Sequence, residues 1–254
     1  MIVLLAVPVL SLGMMAAWWW QRRTRNAGWV DTFWTFGLGV CGVGVALTLG
    51  QGARGWLVAG LIGFWALRLG LYLLTRTRGA PEDARYARFR QDWGARFESR
   101  LFAFLQIQAL AAALLLVPVG LAAASPRVPG WLDVAGLGIV VVALLGEAIA
   151  DRQLHAFRRD PANHGKVCMR GLWGWSRHPN YFFEWLHWLA YPVLAFGAPY
   201  GWAALVGPVF MYWLLVHVSG IPPLEAHMLA RRGAAYAAYQ KRVSAFFPIP
   251  KGGS

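Results

Sequence analysis

Seven apolar stretches, near residues 2–20, 32–50, 56–75, 101–124, 131–151, 180–198 and 201–219, dominate this chain. Each is long enough, or nearly so, to cross about 30 Å of hydrocarbon. Lipid offers no partner to a backbone N–H or C=O, so each stretch must satisfy its own hydrogen bonds as a helix. The prediction is an all-α integral membrane protein of about seven transmembrane helices. With 58% hydrophobic and 14% charged residues, the composition leaves little for a soluble domain. The first stretch lacks a basic leader and a small-residue cleavage site. Trp18–Trp20 followed by Arg22 and Arg23 reads as an interfacial anchor, so it is expected to be a retained helix.

The net charge of +13 raises nucleic acid as a partner, and the distribution of the cations argues against it. Of 24 Lys and Arg, 3 lie in 21–27, 7 in 76–100, 6 in 152–178 and 5 in 220–254. Arg54 and Arg127 alone fall in the opposite loops, and Arg68 lies within a span. The positive-inside rule then puts the N-terminus outside and the C-terminus in the cytoplasm, as in a multi-pass protein of a bacterial inner membrane. Cys41 and Cys168 cannot plausibly form a structural disulfide, and the six His lack metal-ligand spacing, so no metal is expected. Gly37-Leu-Gly-Val-Cys-Gly42 fits G-x-G-x-x-G, yet it lies in an apolar span without a preceding strand. It reads as a helix-packing face. One membrane domain is expected, with a substrate side over 1–124 and a cofactor side over 131–254.

Gly171–Trp185 is the densest polar segment, carrying Arg177, His178, Asn180, Tyr181 and Glu184 at the mouth of an apolar run. Ionisable groups there are expensive to desolvate and usually mark a site. Pro179 suits a first helical turn, which puts Asn180 and Glu184 on one face. Upstream, Glu147 and Asp151 lie one turn apart, followed by Arg158 and Lys166. Carboxylates accept hydrogen bonds from ribose hydroxyls, and Arg and Lys hold phosphates. The alternative is a set of interfacial salt bridges.

In the N-terminal half, Arg68, Tyr72 and Arg76 form an i, i+4, i+8 stripe, with Asp31 as the candidate partner of Arg68. This is either a buried ion pair or an acid and phenol able to polarise a carbonyl. The loop 79–100, with Arg85, Arg88 and Arg96, reads as an amphipathic surface helix, with Asp83 and Tyr86 as candidates for a lid over the site. In the tail, Glu225, Tyr236 and Tyr239 belong either to a docking helix or to a ligand site.

From about Glu147 to Pro248 the chain resembles the C-terminal region of the steroid 5α-reductase-like membrane reductases. The signature Asn and Glu of that family fall on Asn180 and Glu184, and its following Trp on Trp188. Its aspartate falls on Asp151 and the arginine seven residues later on Arg158. A family asparagine is Glu147 here and a family arginine is Lys166, while a tyrosine near the family's C-terminus corresponds to Tyr236. The resemblance implies NADPH as cofactor, bound on the cytoplasmic side with Glu147, Asp151, Arg158, Lys166, Arg177, His178, Asn180, Tyr181, Glu184, Glu225 and Tyr236 as its contacts.

It implies reduction of the carbon–carbon double bond of an apolar enone, most simply a 3-oxo-Δ4 steroid, that enters from lipid. No obligate protein partner is implied. The family's Gln-Glu-Leu motif and His-Tyr pair are missing, and Asp31, Arg68 and Tyr72 are the nearest analogue as catalytic residues. A rival resemblance, to membrane isoprenylcysteine carboxyl methyltransferases using S-adenosylmethionine, rests on Arg177-His-Pro-Asn-Tyr181 and on Glu225 through Tyr239.

Overall fold

The computed structural model describes residues 2–249, and every regular element among them is helical. The helices are α1 (Ile2–Thr24), α2 (Trp29–Leu49), α3 (Gly52–Thr77), α4 (Ala84–Trp93), α5 (Phe97–Ala123), α6 (Trp131–Arg159), α7 (Pro179–Ala195), α8 (Val206–Trp213), α9 (Ile221–Arg232) and α10 (Ala234–Arg242). Among the described residues, six segments are long and apolar enough to cross a membrane: Val3–Thr24, Trp29–Leu49, Gly52–Thr77, Ala84–Ala123, Trp131–Arg159 and Gly201–Arg232. The expected span at 180–198 is the one that falls short. Helix α7 has 17 residues, roughly 25 Å at 1.5 Å per residue. It stops at Ala195 because Pro192 sits in its last turn and Gly197 takes a left-handed conformation at φ 77°. The last segment is broken as well, by a π-helical turn at Leu214–Val218.

The chain divides into two compact units. The first runs to Asp133 and includes Tyr191–Gly207; the second comprises Val134–Ala190 and the chain from Pro208 onward. The sequence reading had kept 191–207 with the cofactor side.

In the first unit, α2 packs against α1, α3 and α5. Two of its glycines face α3: a Cβ on Gly39 would overlap that of Ala66, and one on Gly42 would come within 2.7 Å of Ile62. Close backbone approach thus explains the glycine spacing, as expected for a packing face. One end of this unit is held by a cluster that the sequence had presented only as isolated loop charges. Buried Arg54 pairs with Asp133 at 2.9 Å and donates to the Leu194 and Arg127 carbonyls. Arg127 in turn lies 3.5 Å from Asp133 and donates to the Leu194 carbonyl at 3.1 Å.

In the second unit, α6 alternates sides at helical period. Val134, Leu137, Val141, Val142, Leu145 and Ile149 are exposed, while Val140, Ala143, Glu147, Ala150 and Asp151 are buried. An exposed apolar stripe on a membrane helix faces lipid, which turns the acidic stripe inward. Helix α7 lies against it, where a Cβ on Gly146 would overlap the Phe183 ring.

Candidate functional site

The segment 171–178 owes its shape to the tail. Ser176 and Ser244 form a parallel backbone bridge, with Arg177 N–H donating to the Ser244 carbonyl at 2.8 Å. The Ser176 hydroxyl donates to the Phe246 carbonyl at 2.8 Å, and Tyr239 O–H to the Trp173 carbonyl at 2.6 Å. Arg177 supplies the rest. Its Nε and Nη2 reach the two Glu225 oxygens at 2.6 and 3.1 Å, and Nη1 donates to the Gln240 and Val243 carbonyls at 3.0 and 2.6 Å. Four of the five N–H groups of a guanidinium are thereby directed at protein acceptors.

Glu225 is the hub. Besides Arg177 it receives Gln240 Nε2 at 2.8 Å, His178 Nε2 at 3.1 Å and Tyr236 O–H at 3.4 Å. Because an ionised carboxylate only accepts, this arrangement assigns the imidazole proton to Nε2. His178 Nδ1 is buried and has no hydrogen-bond partner. Burial pushes the His178 pKa below its usual value, outweighing the upward pull of Glu225. The imidazole stacks on Tyr181 with centroids 5.6 Å apart. Burial likewise pushes the Tyr236 and Tyr239 hydroxyls upward. The structure therefore unites Arg177, His178, Glu225 and Tyr236, all expected as ligand contacts, in a network closed upon itself. Four of the N–H groups of Arg177 thus hold the loop to the tail.

Beside this network lie the carboxylates of α6 and α7. Glu147 and Asp151 are 5% and 7% exposed and Glu184 is 7% exposed. Glu184 Oε1 accepts from Trp188 Nε1 at 3.1 Å across one helical turn, so the signature Glu and Trp form a fixed pair. Asn180 and Tyr181 are half-buried, while Arg158 and Lys166 are exposed. The loop is docked on α6 by Trp173 Nε1 donating to the Ala150 carbonyl at 2.9 Å, and by Leu172 N–H donating to Gln153 Oε1 at 3.0 Å. Glu147, Asp151, Asn180 and Glu184 are thus carried by adjoining helices with a rigid loop against them. Burial raises the thiol pKa of Cys168 in the same loop, which makes it a poor nucleophile.

The N-terminal candidates separate. Asp31 pairs with Arg85 Nη2 at 2.6 Å and accepts from Tyr86 O–H at 3.1 Å, instead of meeting Arg68 as expected. The cause is α4. Asp83 caps it by accepting from Arg85 N–H, which swings Arg85 and the buried Tyr86 onto the start of α2. Tyr86 is therefore a packed residue, not part of a free lid. Arg68 lies 5.9 Å from the Tyr72 ring, so that part of the stripe holds together, and Arg76 pairs with Asp83 at 3.2 Å. The sequence reading missed Gln240 and Gln153. A polar side chain one or two turns from an aromatic docking face was the available signal.

A sequence-family model described as "Protein of unknown function (DUF1295)" matches residues 17–243. An uncharacterised protein of Schizosaccharomyces pombe is 28% identical over 258 residues, covering 89% of this chain and 73% of that protein.

Proposed function

The chain belongs to the DUF1295 family, and on that footing we propose that it is a seven-span membrane reductase with its C-terminus in the cytoplasm, which uses NADPH to saturate the carbon–carbon double bond of an apolar enone. The observation that carries this reading is the burial of Glu147, Asp151 and Glu184 on two adjoining apolar helices. Ionisable groups on apolar helices mark functional sites, and three carboxylates held close together there offer acceptors to a hydroxyl-rich ligand. The donor set fits the cofactor. Glu147 and Asp151 would accept from ribose hydroxyls, and exposed Arg158 and Lys166 would meet phosphates. Asn180 would bind the carboxamide end, beside a Glu184 already oriented by Trp188.

When bound, NADPH supplies a hydride to the β carbon of the enone. The chain's own part is to orient, exclude water and stabilise charge. Phe182 and Trp185 cover the start of α7 with aromatic surface that keeps water out. Tyr72, next to the Arg68 guanidinium, is the residue we assign to hydrogen-bonding the carbonyl oxygen and stabilising enolate charge, and a proton delivered to the α carbon from water or a side chain completes the saturation. Asp31, held by Arg85 and Tyr86, is assigned a supporting place.

One observation favours a second reading, an S-adenosylmethionine-dependent methyltransferase of the isoprenylcysteine carboxyl type. Its two sequence segments, Arg177–Tyr181 and Glu225–Tyr239, meet in the Glu225 network. Thermal stabilisation of the detergent-purified chain by NADPH, NADH and S-adenosylmethionine separates the two, since a ligand that binds only the folded state raises the melting temperature. The reductase reading expects a shift with NADPH that Asp151→Ala and Asn180→Ala abolish. A shift with S-adenosylmethionine alone, or full NADPH affinity in both variants, overturns it.

A further inference from the structure

A groove of about 520 Å³ runs along the outward side of α6 where it meets α7. Its walls are Val142, Leu145 and Ile149 of α6, Phe183 of α7, and Leu172 and Trp175 of the loop. The floor is low because Gly146 has no side chain and the Phe183 ring occupies the place of a Cβ. Val142, Leu145 and Ile149 are 54%, 55% and 42% exposed, so a long concave strip of hydrocarbon wall is presented to the bilayer.

The two ends differ in chemistry. At Val142 the lining is wholly apolar. At the other end Gln153 is the one polar side chain of the lining, and its amide is tied to Leu172 N–H. Trp175 stands at that end, 54% exposed. Exposed Arg152 and Arg170 are the chain neighbours of the lining residues Gln153 and Gly171, Arg152 donating through Nε to the Ala148 carbonyl at 3.2 Å, and no acidic side chain is among the lining residues. Val142 to Gln153 spans eleven residues of α6, roughly 16 Å at 1.5 Å per residue. That is about half of a 30 Å hydrocarbon core, the depth of one leaflet. An aromatic ring and cations at the interface, with a leaflet-deep apolar channel below, match an amphiphile with one buried chain and an anionic head.

We propose that this groove is a binding site for an anionic glycerophospholipid. One acyl chain lies along Val142, Leu145 and Ile149, and the headgroup phosphate lies at Arg152 and Arg170. The assignment is independent of the reaction proposed above. It uses none of the residues assigned there to cofactor or carbonyl.

The test is photocrosslinking of the full-length chain in nanodiscs with a phosphatidylglycerol that carries a diazirine in its acyl chain, followed by peptide mapping. The expected result is labelling concentrated on 142–149 and 172–175, displaced by unlabelled phosphatidylglycerol and not by phosphatidylcholine. The exposed apolar face of α3 at Phe64, 70% exposed, serves as the comparison surface. Leu145→Trp fills the groove and should abolish the labelling. Arg152→Ala and Arg170→Ala leave the apolar wall intact and should each weaken the preference for the anionic head about fivefold, from about 1 kcal/mol per cation at the membrane surface. Those two positions are exposed, so the test survives if Leu145→Trp does not fold. Labelling of α3 equal to that of α6, or equal displacement by phosphatidylcholine, overturns the proposal.

Discussion

Glu225 is where a single substitution should disturb this protein most. Its carboxylate receives Arg177 twice, His178, Gln240 and Tyr236. The Arg177 and Glu225 side chains are 9% and 14% exposed, so Glu225→Ala would strand a guanidinium that water scarcely reaches. Removing one partner of a buried pair costs about 3–5 kcal/mol. The residual exposure of Glu225 favours the lower end, about 3 kcal/mol. For a chain of this size, that corresponds to a fall in melting temperature of roughly 6–12 °C. Circular dichroism of the detergent-solubilised protein, followed on heating, reads the shift. Glu225→Gln, which retains shape and loses charge, should fall between wild type and Ala. The double variant Arg177→Met, Glu225→Leu should recover part of the loss, because no charge is then left buried. A Glu225→Ala shift under about 2 °C, or strict additivity of Arg177→Met with Glu225→Leu in the double-mutant cycle, would refute the view that this pair holds the loop.

Arg54→Ala should cost about 3 kcal/mol, the lower end for a broken buried pair because Asp133 keeps Arg127 at 3.5 Å, whereas Arg88→Ala should change stability by less than about 0.5 kcal/mol because both ends of the Arg88–Asp92 pair are exposed. The two melting temperatures measured side by side decide it. Gly39→Val should destabilise by about 1–3 kcal/mol through overlap with Ala66, while Gly44→Ala, with open space at its Cβ, should be neutral or stabilising. The buried His178 resists protonation, but the same residue in the unfolded chain accepts a proton below its ordinary value of 6.5. Stability should therefore fall as pH drops through 6.5, and His178→Gln should flatten that part of a melting-temperature profile.

The membrane character of the chain was plain in its apolar runs, and six of the seven expected spans coincide with segments of sufficient length. Hydropathy could not reveal that α7 stops at Ala195, since Pro192 and Gly197 act through dihedral angles and not through polarity. The adjoining placement of Asn180 and Glu184 and of Glu147 and Asp151 followed from helical spacing, which is a local rule. Pairings between distant segments were a different matter. Asp31 had two arginines within plausible reach, and the cap that Asp83 places on α4 decided for Arg85. Arg177 read as a free cation because its acceptors, the Gln240 and Val243 carbonyls, are backbone atoms invisible in any residue pattern. Arg54 looked like a topology signal for the same reason, two of its three partners being carbonyl oxygens.

The bridge between Ser176 and Ser244 also sets an order of events during synthesis. Segment 171–178 leaves the ribosome with the shape it needs still unspecified, because the acceptors of Arg177 and Ser176 lie 63 to 70 residues downstream. At 5–20 residues per second, that interval lasts roughly 3–14 s. Until Glu225 emerges, 48 residues downstream, Arg177 is also a cation without its carboxylate at the entrance to an already apolar helix. The nascent protein is then a distinct species, with a water-accessible basic loop that the finished fold conceals. Any factor that inspects incomplete membrane proteins has a chemical mark to read, and arrival of the tail erases it.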